Sequence, residues 1–123
     1  MIYGIGIDQI EVSRVARKIQ DELFLRKIYA PDEIEYCSKR GVPAQHYAAR
    51  FAAKEAFLKA LGTGWEGPLE FSDVAILPDS KGKPTLILSG HVKTYTMQHK
   101  ITRLHVSLSH LKEIATAMVI LEK

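Results

Sequence analysis

The stretch PAQHYAARFAAKEAFLKAL, residues 43–61, decides how the rest of the chain is read. Ala44, Ala48, Ala49, Ala52, Ala53, Ala56 and Ala60 give it high helix propensity, and Gly62 is well placed to end it. At ~100° per residue, Ala48, Phe51, Ala52 and Leu58 fall within about 60° of Glu55 on either side. A carboxylate therefore projects from the middle of an apolar stripe. Burial of an unpaired carboxylate is costly, so this one should be paired, protonated or bound to a cation. Lys59, one turn later, is the ordinary partner, but an exposed pair at that spacing contributes only about 0.2–0.5 kcal/mol, too little to offset deep burial. A structural pair and a functional carboxylate both stay open on these residues alone.

Around this helix the apolar pattern changes period. Ile2 to Ile7 reads as a strand with Tyr3, Ile5 and Ile7 on one face, and Ser13 to Ile19 as a short helix starting near Glu11. Pro31-Asp32-Glu33 has the composition of a helix start. Asp73 to Leu77 and Thr85 to Leu88 read as strands around the turn from Asp79 to Pro84, and His91 to His99 as a helix. Leu104 to Leu108 and Ile114 to Leu121 are apolar enough to be paired strands joined by Ser109 to Glu113. The pattern predicts an α+β fold, a mostly antiparallel sheet packed against one long helix, with one domain over residues 1–123.

Bulk properties narrow the classes. The 123 residues are 46% hydrophobic and 25% charged, values of an ordinary globular domain. No run approaches the roughly 18 apolar residues of a membrane span, and the N-terminal residues lack the basic start and apolar stretch of a signal peptide. Cys37 is the single cysteine, so no internal disulfide is possible and a cytoplasmic protein is expected. A net charge of +3 is too small for a dense nucleic-acid stripe, yet it suits a phosphorylated ligand or an acidic protein partner.

A second carboxylate stands out in the first strand. Ile2, Gly4, Gly6 and Asp8 share one face, and the two glycines leave room for another backbone or a ligand. Asp8, beyond them, either caps the following helix or serves a site. Two acids from remote segments beside glycine-rich backbone suit a magnesium ion that also binds phosphate, because magnesium takes one or two carboxylates and completes its shell with waters and phosphate oxygens. Gly62-Thr63-Gly64 offers adaptable backbone and a hydroxyl near Lys59 for phosphate oxygens, although such a tripeptide is more often a helix stop.

These residues, taken together, resemble a known family. Gly6-Ile7-Asp8 followed by Arg14 is similar to the N-terminal motif of bacterial holo-[acyl-carrier-protein] synthases, the small single-module 4′-phosphopantetheinyl transferases. The unbroken run from Arg50 to Gly64 resembles their central signature, and Gly82-Lys83-Pro84 and Val106 to His110 resemble two later motifs, in order. The chain departs from the pattern at Ile114-Ala115, where the family commonly carries Tyr-Ala, and residues 35–46 match weakly.

The resemblance implies a magnesium-dependent transferase of fatty acid biosynthesis that moves 4′-phosphopantetheine from coenzyme A to a serine of apo acyl carrier protein. It implies Asp8 and Glu55 as metal ligands, with Lys59 as a further catalytic group stabilising the leaving phosphate. It also implies Arg50, Gly62, Thr63, Gly64, Lys83, Pro84 and His110 as contacts for coenzyme A. His110 is expected in the turn between two strands. Arg50, at roughly 140° from Glu55 on the helix, is expected to point towards a neighbouring segment or subunit. Larger relatives resemble two fused copies of this module, which implies an oligomer, a homotrimer in the small members, with sites between chains. Arg14, Phe24 and Lys27 are candidates for docking the acidic carrier protein. The competing expectation is a non-catalytic module that binds nucleotides or acidic proteins.

Overall fold

The computed structural model describes residues 1–64 and 67–123. Its elements run β1 (Ile2–Glu11), α1 (Val12–Lys18), α2 (Glu22–Ile28), α3 (Pro31–Ser38), α4 (Pro43–Leu61), a 3₁₀ turn (Phe71–Asp73), β2 (Val74–Pro78), β3 (Pro84–Leu88), α5 (Gly90–Gln98), β4 (Arg103–His110) and β5 (Ile114–Glu122). The α+β class expected from the sequence holds, and every strand pair is antiparallel. The strands form two sheets, however. A three-stranded sheet has the order β1-β5-β4, and β2-β3 is a separate hairpin.

Helix α4 occupies the residues that alanine content and Gly62 predict, and Gly62 closes it in the left-handed conformation at φ 81°. It lies along β1 and β5 because both surfaces are small there. Gly4 and Gly6 face the helix, and a Cβ at either position would stand 1.9 Å from the carbonyl oxygen of Ala60 or Ala56 respectively. The missing side chains thus admit the helix backbone, which settles the choice between backbone and ligand. Phe57 and Leu61 of α4 then pack with Val74, Ile76, Val119 and Leu121 in the main core.

Strand β1 continues past the predicted Ile7 to Glu11, because Asp8 to Glu11 pair with Ala117 to Ile114 of β5. Asp8 therefore lies inside the strand. The residue before α1 is Glu11, with no side-chain cap, so the capping alternative for Asp8 is set aside. His110 likewise is the last residue of β4, paired with Ala115, and not a turn residue. Helix α2 was not expected from the sequence; Asp21 caps it, accepting from the backbone N–H of Leu23 at 2.9 Å.

The sheet has two unlike faces. Ala115, Ala117, Val119 and Leu121 of β5 are fully buried on the α4 side. On the other side Ile5 and Ile7 are 61% and 52% exposed, and Ile114 and Met118 are also open to solvent.

Candidate functional site

Strand and helix geometry bring Asp8 against α4, within reach of Lys59. Two strand residues advance ~6.6 Å and one helical turn of four residues ~6 Å, so facing pairs keep step. Gly4 meets Ala60 and Gly6 meets Ala56. By the same step the next residue on that face, Asp8, comes level with Ala52, and Glu55 lies in the turn between Ala52 and Ala56. Helical side chains lean towards the N-terminus, and Lys59 reaches back the same way. Its ammonium donates to the Asp8 carboxylate at 3.1 Å and to the Ile7 carbonyl at 2.9 Å.

Lys59 is thus tied to the remote acid Asp8 across the helix–strand junction, an arrangement that the helical spacing to Glu55 did not reveal. Asp8 is 19% exposed, Lys59 is 55% exposed, and Glu55 is half-buried, so the corner is open to solvent and to a ligand. Coulomb attraction at this depth is partly screened, and the pair can be rearranged by a competing charge at small cost.

The donor set fits magnesium. Among the described residues no cluster of three or more His, Cys, Asp or Glu side chains is arranged to hold a metal. Asp8 and Glu55 are hard oxygen donors, and one or two carboxylates with water and phosphate oxygens in the remaining positions is the usual protein contribution to a magnesium site.

A second group of candidates lines a cavity of about 180 Å³, walled by Tyr36, His46, Arg50, Gly82, Pro84 and His110 among others. Arg50 points away from Glu55, as its helical angle predicts, but it is engaged within its own chain. It is buried, its Nε donates to the Ile76 carbonyl at 3.1 Å, and another guanidinium nitrogen donates to the His46 carbonyl at 3.3 Å. The guanidinium also sits over the Tyr36 ring at 4.7 Å. His46 and His110 meet edge to face, 6.1 Å between ring centres. Burial, and then the charges of Arg50, His110 and Arg40, hold the His46 imidazole below its usual pKa. The guanidinium and imidazole groups in the wall of this small cavity make it attractive to anions.

Sequence reasoning named Arg50, Pro84 and His110 but missed His46 and Tyr36. His46 lies four residues before Arg50 on α4 and therefore shares its face, a signal that helical spacing contains.

The other candidates stand apart. Gly62 serves as the helix stop, and the Thr63 hydroxyl donates locally to the Gly64 carbonyl at 3.1 Å. Lys83 is exposed in the hairpin turn, with its backbone N–H donating to Asp79 at 2.9 Å. Arg14 on α1 and Lys27 on α2 are exposed. Phe24 is half-buried and stacks on Phe51, with Phe51 stacking in turn on Phe71. The more exposed apolar residue of α2 is Leu23, at 79%.

Known proteins supply the context for this arrangement. The sequence pattern of the 4′-phosphopantetheinyl transferase superfamily matches residues 4–119. A holo-[acyl-carrier-protein] synthase of Syntrophus aciditrophicus is 46% identical over 99% of this chain and 97% of its own length. The crystal structure of the Neisseria meningitidis holo-[acyl-carrier-protein] synthase superposes with a TM-score of 0.91 at 36% identity, covering 100% of both chains. The Bacillus anthracis holo-(acyl-carrier-protein) synthase, solved in complex with CoA (3′,5′-ADP), superposes with a TM-score of 0.81 at 36% identity, over 98% of this chain and 96% of that one.

Proposed function

This chain belongs to the 4′-phosphopantetheinyl transferase superfamily, and on that footing we propose that it is a holo-[acyl-carrier-protein] synthase. It transfers 4′-phosphopantetheine from coenzyme A to a serine of apo acyl carrier protein and releases 3′,5′-ADP. Relatives matched from end to end are synthases by name, which favours an enzyme over a non-catalytic binding module. The observation that carries the reading is the corner where β1 meets α4, with Asp8 held to Lys59 one helical turn from Glu55.

The serine oxygen forms a new bond to the phosphorus next to the pantetheine, and the bond from that phosphorus to the bridging oxygen of the diphosphate breaks. The departing charge needs a cation close by. Lys59, a compact ammonium with three donors, is placed to take it. Asp8 and Glu55 would hold Mg²⁺, which when bound neutralises charge on the diphosphate. The same two carboxylates are the bases at hand for the serine proton.

Arg50, His110 and Pro84 bind the remainder of coenzyme A around the cavity, with Lys83 reaching it from the hairpin turn beside Pro84, and Gly62, Thr63 and Gly64 present backbone and hydroxyl groups at the end of α4. Exposed Arg14 and Lys27, together with half-buried Phe24, receive the acidic carrier protein. The chain acts as one transferase domain over residues 1–123, cytoplasmic and serving fatty acid biosynthesis, in a homotrimer with sites between subunits. The open apolar face of Ile5, Ile7, Ile114 and Met118 supports self-association. No described helix is long and apolar enough to cross a membrane.

The test is a mass measurement. Coenzyme A, Mg²⁺ and apo carrier protein are mixed with the protein, and the carrier gains one phosphopantetheine. Glu55→Gln is expected to keep the fold and abolish the gain. Undiminished transfer by that variant contradicts the assignment of the corner.

A further inference from the structure

One helical turn beyond Arg50 on α4 lies a buried ion pair that the mechanism does not use. Glu33 of α3 and Lys54 of α4 are both fully buried, with the ammonium 2.7 Å from the carboxylate. Lys54 also donates to the carbonyls of Phe71, at 3.0 Å, and Val74. All three of its donors are therefore engaged. Glu33 accepts from the backbone N–H groups of Ala30 at 2.9 Å and Ile76 at 3.0 Å. A buried ion pair is often no more stable than a well-packed apolar pair of the same volume, so stability alone is a weak reason to keep one.

The partners of the pair suggest another reason. Ile76 of β2 is gripped from two sides: Glu33 accepts from its N–H, and Arg50 donates to its carbonyl. Two residues earlier, Lys54 takes the carbonyl of Val74. Lys54 is one helical turn beyond Arg50, so α4 and α3 together pin β2 at alternate residues. Strand β2 pairs with β3, and Pro78 faces Pro84 at the end of that hairpin. Pro78, Gly82 and Pro84 form one wall of the cavity, and Arg50 forms another. Any shift of β2 moves the wall and loosens the guanidinium together.

We propose that Glu33 and Lys54 are positioning residues for coenzyme A, holding β2 so that Arg50 and the Pro78–Pro84 turn close the cavity around an anionic part of that substrate. This rests on the transferase reading above. Neither residue touches the reacting atoms, so the effect falls on substrate affinity and spares the chemical step.

The experiment compares the wild-type protein with Glu33→Gln and with the double variant Glu33→Gln, Lys54→Met. The double variant removes both charges at similar volume, which lets a charge-free interior recover stability. Transfer rates are measured by mass against coenzyme A concentration, at a temperature where circular dichroism shows each variant folded. The expected result is a KM for coenzyme A raised about tenfold in both variants, with kcat within about twofold of wild type. A double variant with wild-type KM overturns the proposal, as does a folded Glu33→Gln with wild-type KM. Failure of both variants to fold assigns the pair to folding alone and also overturns it. Absence of turnover by the wild-type protein is a different result, because it removes the transferase reading itself.

Discussion

Replacing Gly6 by alanine tests the junction on which the site is built. The new Cβ would lie 1.9 Å from the Ala56 carbonyl oxygen, 2.8 Å from its carbon and 2.9 Å from the Ala60 nitrogen. All three atoms are backbone, so no rotamer change relieves the overlap. Restoring an ordinary contact of about 3.4 Å requires β1 and α4 to part by about 1.5 Å. Overpacking of this kind costs about 1–3 kcal/mol, and a displacement shared by a whole helix places it near about 3 kcal/mol. For a chain of this length that lowers Tm by about 10 °C. Asp8, two residues along the strand, moves away from Lys59 and Glu55 by a similar distance. A misplacement of about 1 Å in a reacting constellation can cost about a hundredfold in rate. Melting followed by circular dichroism gives the first quantity, and the mass-shift rate at about 20 °C, with folding of the variant checked by the same signal, gives the second. Gly41→Ala is the control, since nothing lies within 4 Å of its Cβ. A Gly6→Ala protein with wild-type Tm and wild-type rate would refute the backbone contact and the site geometry derived from it.

Further expectations concern charge and burial. Arg14→Glu should weaken capture of apo carrier protein in a binding assay while leaving coenzyme A affinity nearly unchanged; a parallel loss of both means that Arg14 is structural. Burial pushes the Cys37 thiol up to about 11, so alkylation by iodoacetamide at pH 8 should be negligible in the native protein and rapid in denaturant. Fast labelling of the native protein contradicts that burial. Burial and the neighbouring cations hold His46 below its ordinary value of about 6.5. The unfolded chain then takes up the proton more readily than the folded one, so His46 reduces stability as pH falls through about 6.5. A phosphate in the cavity favours the charged imidazole instead, so the KM for coenzyme A should fall between pH 8 and pH 6, and His46→Asn should flatten that slope. An unchanged slope in the variant rules out His46 as the source.

The parts of the fold that depend on neighbours in sequence were legible. Helix α4 is written in its alanines and closed by Gly62, and the strands follow from alternation and from the turn around Asp79 to Pro84. Helix α2, Glu22–Ile28, was not expected, and the structure shows it capped by the Asp21 side chain, which accepts from the Leu23 N–H. The extension of β1 to Glu11 depends on β5, more than a hundred residues later, and no local pattern records such pairing.

The candidate site divides in the same way. The pattern of Gly4, Gly6 and Asp8 on one strand face, and Glu55 amid apolar residues on one helix, could be read from periodicity, because strand and helix repeats place side chains without reference to the rest of the molecule. What met those faces could not. Only folding shows that the glycines receive the backbone of Ala56 and Ala60, that Lys59 turns to Asp8, and that Arg50 and Lys54 close on β2. Periodicity is a property of adjacent residues along one element, whereas hydrogen-bond partners across elements are chosen by the packing of segments far apart in the chain.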